Sequence, residues 1–178
     1  GFGGFPELPG RNKPVICAVN GLAVGGGFEI ALAADLVVAA EHATFFLPET
    51  GLGIIPDAGA IRLPRILPPV VANEVLYAGR RLKADEALRW GLVNAVVPAD
   101  RLLDEARALA ARIMASAPLA VEAVIAVDRT TRSLPLDEAF AHLRSGELDA
   151  YERMLASEDA EEGPRAFTEG RDPHWQGR

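Results

Sequence analysis

Short apolar runs surround one amphipathic segment in the first third of the chain. Residues 13–21 (KPVICAVNG) combine β-branched and small apolar residues with a closing Asn-Gly pair, which predicts a buried strand that ends in a turn. A helix is expected to begin at or just inside the triplet Gly25-Gly26-Gly27, because the following FEIALAAD is rich in helix formers. Residues 36–40 and 44–47 return to strand character. The predicted order is strand, helix, strand, strand.

Helical patterns dominate the chain after Gly59. The predicted helices cover residues 70–77, 84–90, 100–116, 119–130, 136–156 and 157–167. Ser157 is the expected N-cap of the last helix, and the acidic run that follows it suits the positive end of the helix dipole. This region has many apolar faces for its size, so we expect some of them to pack against another subunit.

The composition fits a single globular domain. The chain has 178 residues, of which 49% are hydrophobic and 24% charged, enough for both a core and a hydrated surface. The formal net charge of -7 argues against nucleic acid and anionic membrane as partners. The short basic tract at residues 79–83, together with Arg62 and Arg65, is interpreted as a solvated face.

Several classes of site have little support. Cys17 is the one cysteine and lies in an apolar run, which favours a small buried residue in a reducing compartment. The three histidines have no metal-ligand spacing, so no metal site is expected. No long apolar span or signal peptide stands out, and we predict a cytoplasmic protein. Residues 1–10 are predicted to form a Gly/Pro-rich loop.

The glycine triplet lies where a strand should meet a helix, and three interpretations of it compete. Glycines there allow close approach of a ligand to unpaired helical N–H groups, as in a dinucleotide loop or an oxyanion site. Glycines at such a junction can also serve only to let the strand and the helix pack closely. The segment GLAVGGG does not match GxGxxG or the P-loop pattern, which disfavours a nucleotide site. On the glycines alone, packing is the favoured interpretation.

Two glutamates near the triplet raise the prospect of chemistry. Glu29 falls in the first turn of the predicted helix, and Glu49 follows 20 residues later (49 − 29) in the turn LPETGLGIIP. A helix out and a strand back can return the chain to the same end of a sheet. Two carboxylates that face one cavity can divide the acid and base roles of a hydration reaction. On spacing alone, however, solvated helix caps remain the favoured interpretation.

A longer match changes that balance. The segment KPVICAVNGLAVGGGFEIALAADLVVAAEHATFFLPETGLGIIPDAG strongly resembles the signature region of the crotonase, or enoyl-CoA hydratase/isomerase, superfamily, and the match continues through GRRLKADEALRWGLVNAVVP, SAPLA, SEDAEEGPRAF and RDPHWQGR. The resemblance implies an α/β fold, the ClpP/crotonase spiral of ββα units with a C-terminal helical oligomerisation region. We expect residues 1–60 to hold a partial ββα core with the catalytic motifs. Residues 61–178 would form a helical region whose C-terminal part serves trimerisation.

The resemblance also implies roles for individual residues. Gly26 matches the glycine whose N–H forms half of an oxyanion hole for the thioester oxygen. Glu29 and Glu49 match the two catalytic glutamates that hold a water molecule between them, and the presence of both favours lyase chemistry. Asp57 stands where many hydratases have a glycine whose N–H helps to hold the water. Asp57 and Gly25 are therefore possible water or pocket residues.

The implied activity is reversible hydration of an enoyl-CoA thioester. Its partners would be an acyl-CoA substrate and further copies of the chain in a homotrimer or a dimer of trimers, with no cofactor beyond the CoA of the substrate. The alternatives are an enoyl-CoA isomerase, an acyl-CoA thioesterase and a non-catalytic acyl-CoA-binding homologue. The first strands of the family and the second oxyanion donor have no counterpart in residues 1–178, so we expect the sequence to be a piece of a longer protein.

Overall fold

The chain forms two compact units, Gly1–Leu109 and Ala110–Arg178. The computed structural model describes residues 2–178, and Gly1, the first residue of the predicted loop, lies outside them. The first unit contains the strands and all the predicted site residues, and the second is helical. From the sequence, the chain is divided after residue 60, where the segment with the catalytic motifs ends. That division stays a prediction.

The first unit is built on two three-stranded sheets. The strands are β1 (Ile16–Val19), β2 (Leu22–Val24), β3 (Leu36–Ala40), β4 (Thr44–Phe46), β5 (Leu82–Lys83) and β6 (Ala95–Val97). One sheet has the order β1-β3-β6 and is parallel throughout. The other has the order β2-β4-β5, in which β2 and β4 are parallel and β5 is antiparallel to β4.

Helices follow the strands in a repeated pattern. The strands β1 and β2 lead into α1 (Gly26–Ala33), whereas β3 and β4 lead into α2 (Asp57–Arg62) and α3 (Pro69–Ala78). Because β1 pairs with β3 and β2 pairs with β4, successive ββα units place their first strands in one sheet and their second strands in the other. This is the ββα order that the sequence resemblance implies.

The core explains why these segments take these forms. The central strand β3 has four of its five residues buried, as expected for a parallel strand that is covered on both faces. On α1 the i, i+3, i+4 set of Phe28, Ala31 and Leu32 is buried, and the centre of the Phe28 ring lies 5.4 Å from that of Phe45. Both sheets and α1 therefore share one apolar core.

The sequence prediction is partly wrong for the chain between Gly59 and residue 100 and for two elements that begin earlier. The helices α3 and α4 (Ala84–Arg89) are close to their predicted bounds, but β5 and β6 lie where only helices were expected, and α2 and the strand β2 were not predicted. The three missed strands have only two or three residues each, too few for an alternating pattern to be recognised.

The helical unit begins within α5 and continues to the end of the chain. Its helices are α5 (Leu102–Met114), which crosses from the first unit, α6 (Pro118–Thr131), α7 (Leu136–Leu143), α8 (Asp149–Leu155) and α9 (Glu158–Glu169). The prediction of one helix over residues 136–156 is wrong, because the segment 144–148 separates α7 from α8. Gly146 in that segment has φ 77°, a conformation that glycine adopts readily and that does not continue a helix.

The start of α9 holds the C-terminal segment. The Ser157 hydroxyl oxygen accepts a hydrogen bond from the N–H of Ala160 at 3.2 Å, which confirms the predicted N-cap. Asp159 is 4% exposed, and its two carboxylate oxygens accept hydrogen bonds from the N–H groups of Gln176 at 2.6 Å and Gly177 at 3.0 Å. Asp159 therefore holds the C-terminal segment in place, in addition to complementing the helix dipole.

No single helix of the described residues is long and apolar enough to cross a membrane. Two consecutive helical stretches, Ala99–Met114 and Pro118–Thr131, meet the length and composition criteria only when they are taken together, and the chain bends by 99° between them.

Candidate active site

The backbone turns sharply at Gly25, where β2 gives way to α1. Gly25 has φ 52° and ψ -124°, its N–H donates to the carbonyl of Phe46 at 3.1 Å, and its carbonyl accepts from the N–H of Glu29 at 2.9 Å. A Cβ atom at this position would lie 2.5 Å from Oε1 of Glu49. Glycine is required here both by the positive φ and by the approach of the Glu49 carboxylate.

Gly26 is the first residue of α1, directly after this turn. The amide N–H groups in the first turn of a helix have no acceptor within the helix, and the helix dipole makes this end favourable for negative charge. The position therefore suits the oxyanion role that the sequence resemblance implies, which remains a prediction.

Glu29 lies in the same first turn and is buried, with 6% of its surface exposed. Its Oε1 accepts a hydrogen bond from the N–H of Gly59 at 2.9 Å. A buried carboxylate needs such partners, because the loss of hydration is otherwise costly. The bond fixes the direction in which the carboxylate points.

Gly59 is a part of the site that sequence reasoning missed. A Cβ atom there would lie 2.8 Å from Cδ1 of Leu47 and 3.0 Å from Cβ of Pro56, so a side chain would push α2 away from the core. Its contribution is a backbone N–H, which leaves no side-chain signal. The glycine itself, within the segment IIPDAGA, is the one sign that the sequence offers.

Glu49 begins a 3₁₀ turn, Glu49–Leu52, directly after Pro48. Its Oε2 is buried and has no hydrogen-bond partner among the residues that the structure describes. Its Oε1 is the atom that lies against Gly25. Buried polar atoms without partners are rare in proteins, and each one calls for an explanation such as a role in binding or catalysis.

The structure thus brings Glu49 against the start of the helix that carries Gly26 and Glu29. Asp57 is the first residue of α2 and is exposed, and it is Gly59, two residues later, that contacts Glu29. Whether Asp57 or its backbone takes part in holding a water molecule stays a prediction.

Other side chains of interest have structural partners. In the basic tract, Arg80 forms ion pairs with Glu74 and Glu86, and the Arg81 guanidinium lies 4.3 Å from the centre of the Phe46 ring. Nearer the site, the Arg62 guanidinium donates to the carbonyl of Pro6 at 2.5 Å. These contacts account for the placement of the three arginine side chains.

The structure also describes Cys17 and the side chains that could bind a metal ion. Cys17 lies on β1, and burial raises the pKa of its thiol, which disfavours the reactive thiolate. Among the described residues, no group of three or more His, Cys, Asp or Glu side chains is arranged to hold a metal ion.

Comparison with known proteins identifies the family. The model of the family described as enoyl-CoA hydratase/isomerase matches residues 4–178. The chain belongs to the enoyl-CoA hydratase/isomerase family. The predicted membership of the crotonase superfamily is confirmed.

Relatives in sequence carry a narrower name. The chain is 56% identical over 178 residues to the carnitinyl-CoA dehydratase of Salmonella arizonae, covering 99% of the chain and 68% of the relative. It is 55% identical over 179 residues to that of Escherichia coli K12, covering 100% of the chain and 69% of the relative. Motifs such as GGGFE, RLPRILPP, RSGELDAY and SEDAEEGP resemble this same subfamily.

Solved structures of the family share the fold. An enoyl-CoA hydratase from Mycobacterium tuberculosis H37Rv is 40% identical with a TM-score of 0.90, covering 98% of this chain and 68% of that one. An enoyl-CoA hydratase/isomerase from Mycobacterium paratuberculosis is 37% identical with a TM-score of 0.89 over the same shares. The predicted crotonase-like fold is confirmed, as is the prediction of an enzyme of the hydro-lyase class, which the names of the sequence relatives also support.

Proposed function

We propose that Glu29, Glu49 and Gly26 act together in the reversible hydration of a 2-enoyl-CoA thioester, with crotonobetainyl-CoA and carnitinyl-CoA as the substrate pair. The observation that carries this proposal is the buried Oε2 of Glu49, which has no hydrogen-bond partner within residues 2–178, and whose other oxygen lies against Gly25 at the start of α1. The family supports enoyl-CoA hydration, and the relatives named carnitinyl-CoA dehydratase support the choice of substrate.

The two carboxylates have different surroundings, which suits a division of acid and base work. Glu29 is held at Oε1 by the N–H of Gly59, whereas Oε2 of Glu49 accepts no hydrogen bond from the part of the chain that the structure describes and is proposed to bind water. In hydration, the oxygen of a water molecule bonds to the β carbon and one carboxylate takes the water proton. The α carbon receives a proton from the other carboxyl group.

Negative charge builds on the thioester oxygen while the new bond to the β carbon forms. The N–H of Gly26 is the proposed donor to that oxygen, and a preorganised donor of this kind contributes about 3 to 4 kcal/mol to transition-state stabilisation. This chemistry requires proton transfer and an oxyanion donor, so we propose no cofactor beyond the CoA of the substrate.

Substitution of each glutamate tests the proposal. In the full-length protein, Glu29→Gln and Glu49→Gln should each lower kcat for hydration of crotonobetainyl-CoA by about 10²- to 10⁴-fold, since each removes a proton carrier and keeps the shape. The rate is followed by the loss of the conjugated enoyl thioester absorbance. Glu41→Gln, at an exposed glutamate, is the control and should keep the wild-type rate.

Products and circular dichroism complete the experiment. Each variant should keep the wild-type circular dichroism spectrum, so that loss of rate is not loss of fold. A wild-type rate in either glutamine variant would contradict the two-glutamate mechanism. If crotonyl-CoA yields free CoA, the protein is a thioesterase rather than a hydratase. If a longer 3-enoyl-CoA yields only the product with the shifted double bond, the protein is an isomerase. Binding without any product would favour the non-catalytic homologue.

A further inference from the structure

The turn that begins with Glu49 is closed by its own backbone hydrogen bonds. The N–H of Gly51 donates to Pro48 at 3.0 Å, that of Gly53 donates to Thr50 at 3.2 Å, and that of Ile54 donates to Glu49 at 3.1 Å. These bonds set the shape of the turn. Because they all lie within residues 48–54, they do not fix its position relative to the core.

The Thr50 side chain makes a hydrogen bond that leaves the turn. Its hydroxyl donates to the carbonyl of Leu76 at 3.0 Å. Leu76 lies in the last turn of α3, which ends at Ala78, and carbonyls in the last turn of a helix have no N–H partner within the helix. The bond therefore satisfies a carbonyl that needs a donor and ties the residue next to Glu49 to α3.

The helix α3 is a firm anchor for this bond. Its Val71, Ala72, Val75 and Leu76 are all buried in the core of the first unit. On the other side of the turn the side chains lie outside the core, because Leu52, Ile54 and Ile55 are each more than half exposed. Thr50 thus lies at the junction between a close-packed helix and an exposed segment.

We infer that Thr50 is a positioning residue, whose hydroxyl holds the Glu49 carboxylate in register against Gly25. The inference rests on the proposed role of Glu49 in proton transfer. The fit at Gly25 is tight, since Oε1 of Glu49 occupies the space that any side chain there would fill. A small shift of the turn moves the carboxylate out of this fit, and misplacement of a reacting group by about 1 Å can cost about 10²-fold in rate.

The experiment compares two substitutions that differ in the hydroxyl. Thr50→Val keeps the shape of threonine and removes the donor, whereas Thr50→Ser keeps the donor. We expect kcat for enoyl-CoA hydration to fall by about 10- to 100-fold in the valine variant with KM within about twofold, and to stay within about threefold of wild type in the serine variant. Thr131→Val, which removes a hydroxyl bonded to the Val127 carbonyl at 2.7 Å in α6, is the matched control and should leave kcat unchanged.

A second measurement keeps the inference testable if Thr50→Val is poorly folded. Hydrogen exchange of the Gly51 and Ile54 amides should be faster in Thr50→Ala than in Thr50→Ser, because the anchored turn opens less often. Wild-type kcat in Thr50→Val, or equal losses in the valine and serine variants, would overturn the role of the hydroxyl. If Glu49→Gln keeps the wild-type kcat, the proposed mechanism itself fails. If Glu49→Gln loses activity but Thr50→Val keeps the wild-type kcat, the mechanism stands and only the role of Thr50 is refuted.

Discussion

Three residues are candidates to recognise the trimethylammonium group of a carnitinyl chain, and their surroundings separate them. Phe28 is fully buried in the core against Phe45, so its ring faces no ligand. The indole N–H of Trp90 donates to Glu86 at 3.3 Å, on a helix that carries none of the proposed site residues. Asp57 is exposed and stands two residues before Gly59, which contacts Glu29. We propose that a carboxylate at this position favours the cationic acyl chain of the proposed substrate.

We therefore expect Asp57→Asn to change the choice of substrate. The ratio of kcat/KM for crotonobetainyl-CoA to that for crotonyl-CoA should fall by about fivefold, the size of one exposed ion pair. The rate on crotonyl-CoA should stay within about twofold of wild type, because the glutamates are untouched. Asp85→Asn, at another exposed acid in the first turn of a helix, is the matched control. An unchanged ratio would remove Asp57 as the discriminating residue.

What could be predicted at this scale depends on whether a residue belongs to a recognisable pattern in the sequence. Glu29, Glu49 and Gly26 could be proposed from the sequence, because they fall at the junctions of recognisable elements and match the family pattern, and their roles stay predictions. Gly59 acts through a backbone N–H, and Thr50 through a bond to a carbonyl 26 residues further along the chain. Neither contact has a sequence signature, because each depends on how α2 and α3 pack.

At the scale of elements, α9 and the C-terminal segment form a charge-dependent pair. Both oxygens of Glu162 accept hydrogen bonds from the Arg171 guanidinium, at 2.6 and 3.0 Å, and the N–H of His174 donates to the same carboxylate at 2.9 Å. The Arg171 hydrogen bonds, followed by that of His174, lower the pKa of Glu162 from about 4.5 to about 2. The charged form of Glu162 is thus favoured by the folded state.

The sign of the pH dependence follows from this lowered pKa. A group whose pKa falls on folding stabilises the fold above its unfolded pKa, and that contribution is lost as the pH falls from about 4.5 towards about 2. We expect a carbon NMR titration of the Glu162 carboxyl group to have its midpoint near 2, and Arg171→Gln to raise that midpoint. Arg153→Gln, which breaks ion pairs elsewhere in the helical unit, should leave it unchanged. A midpoint near 4.5 in the wild type would contradict the pairing.

The elements themselves were predictable in proportion to their length. The five-residue strand β3 and the helices α5, α6 and α9 have enough residues for their period to be recognised, and each was found near its observed bounds. The strands β2, β5 and β6 are stabilised by pairing with distant strands rather than by their own pattern. The break between α7 and α8 has a local cause in Gly146, but an isolated glycine within a helical pattern does not always end a helix.

At the scale of the whole molecule, the helical unit has little core of its own. Its buried apolar residues within the described part are Ala123, Leu148 and Ala166, whereas Phe167 is 88% exposed, Met114 80% and Leu136 74%. Apolar faces of this extent are typical of association surfaces. We propose that further copies of the chain cover them, as in the homotrimer or dimer of trimers that the family resemblance implies.

Association can be measured directly. Sedimentation equilibrium of the full-length protein should give a mass of three or six chains, and Phe167→Glu should shift the mass towards the monomer, because the charge would have to be buried at the interface. Leu8→Glu, which adds the same charge at a half-exposed apolar residue of the first unit, is the control and should keep the wild-type mass. A monomeric wild type would contradict the proposal.

The contact between Gly25 and Glu49 also has a consequence for how the sequence can evolve. A Cβ atom at residue 25 would lie 2.5 Å from the carboxylate, and the positive φ of that residue disfavours any side chain, so a shorter acid at residue 49 would relieve only one of two constraints. A shorter acid withdraws the oxygen that the proposed chemistry needs, so each single step towards a new pair loses activity. We expect the two positions to be held by selection as one unit, with neither free to drift while hydration is required.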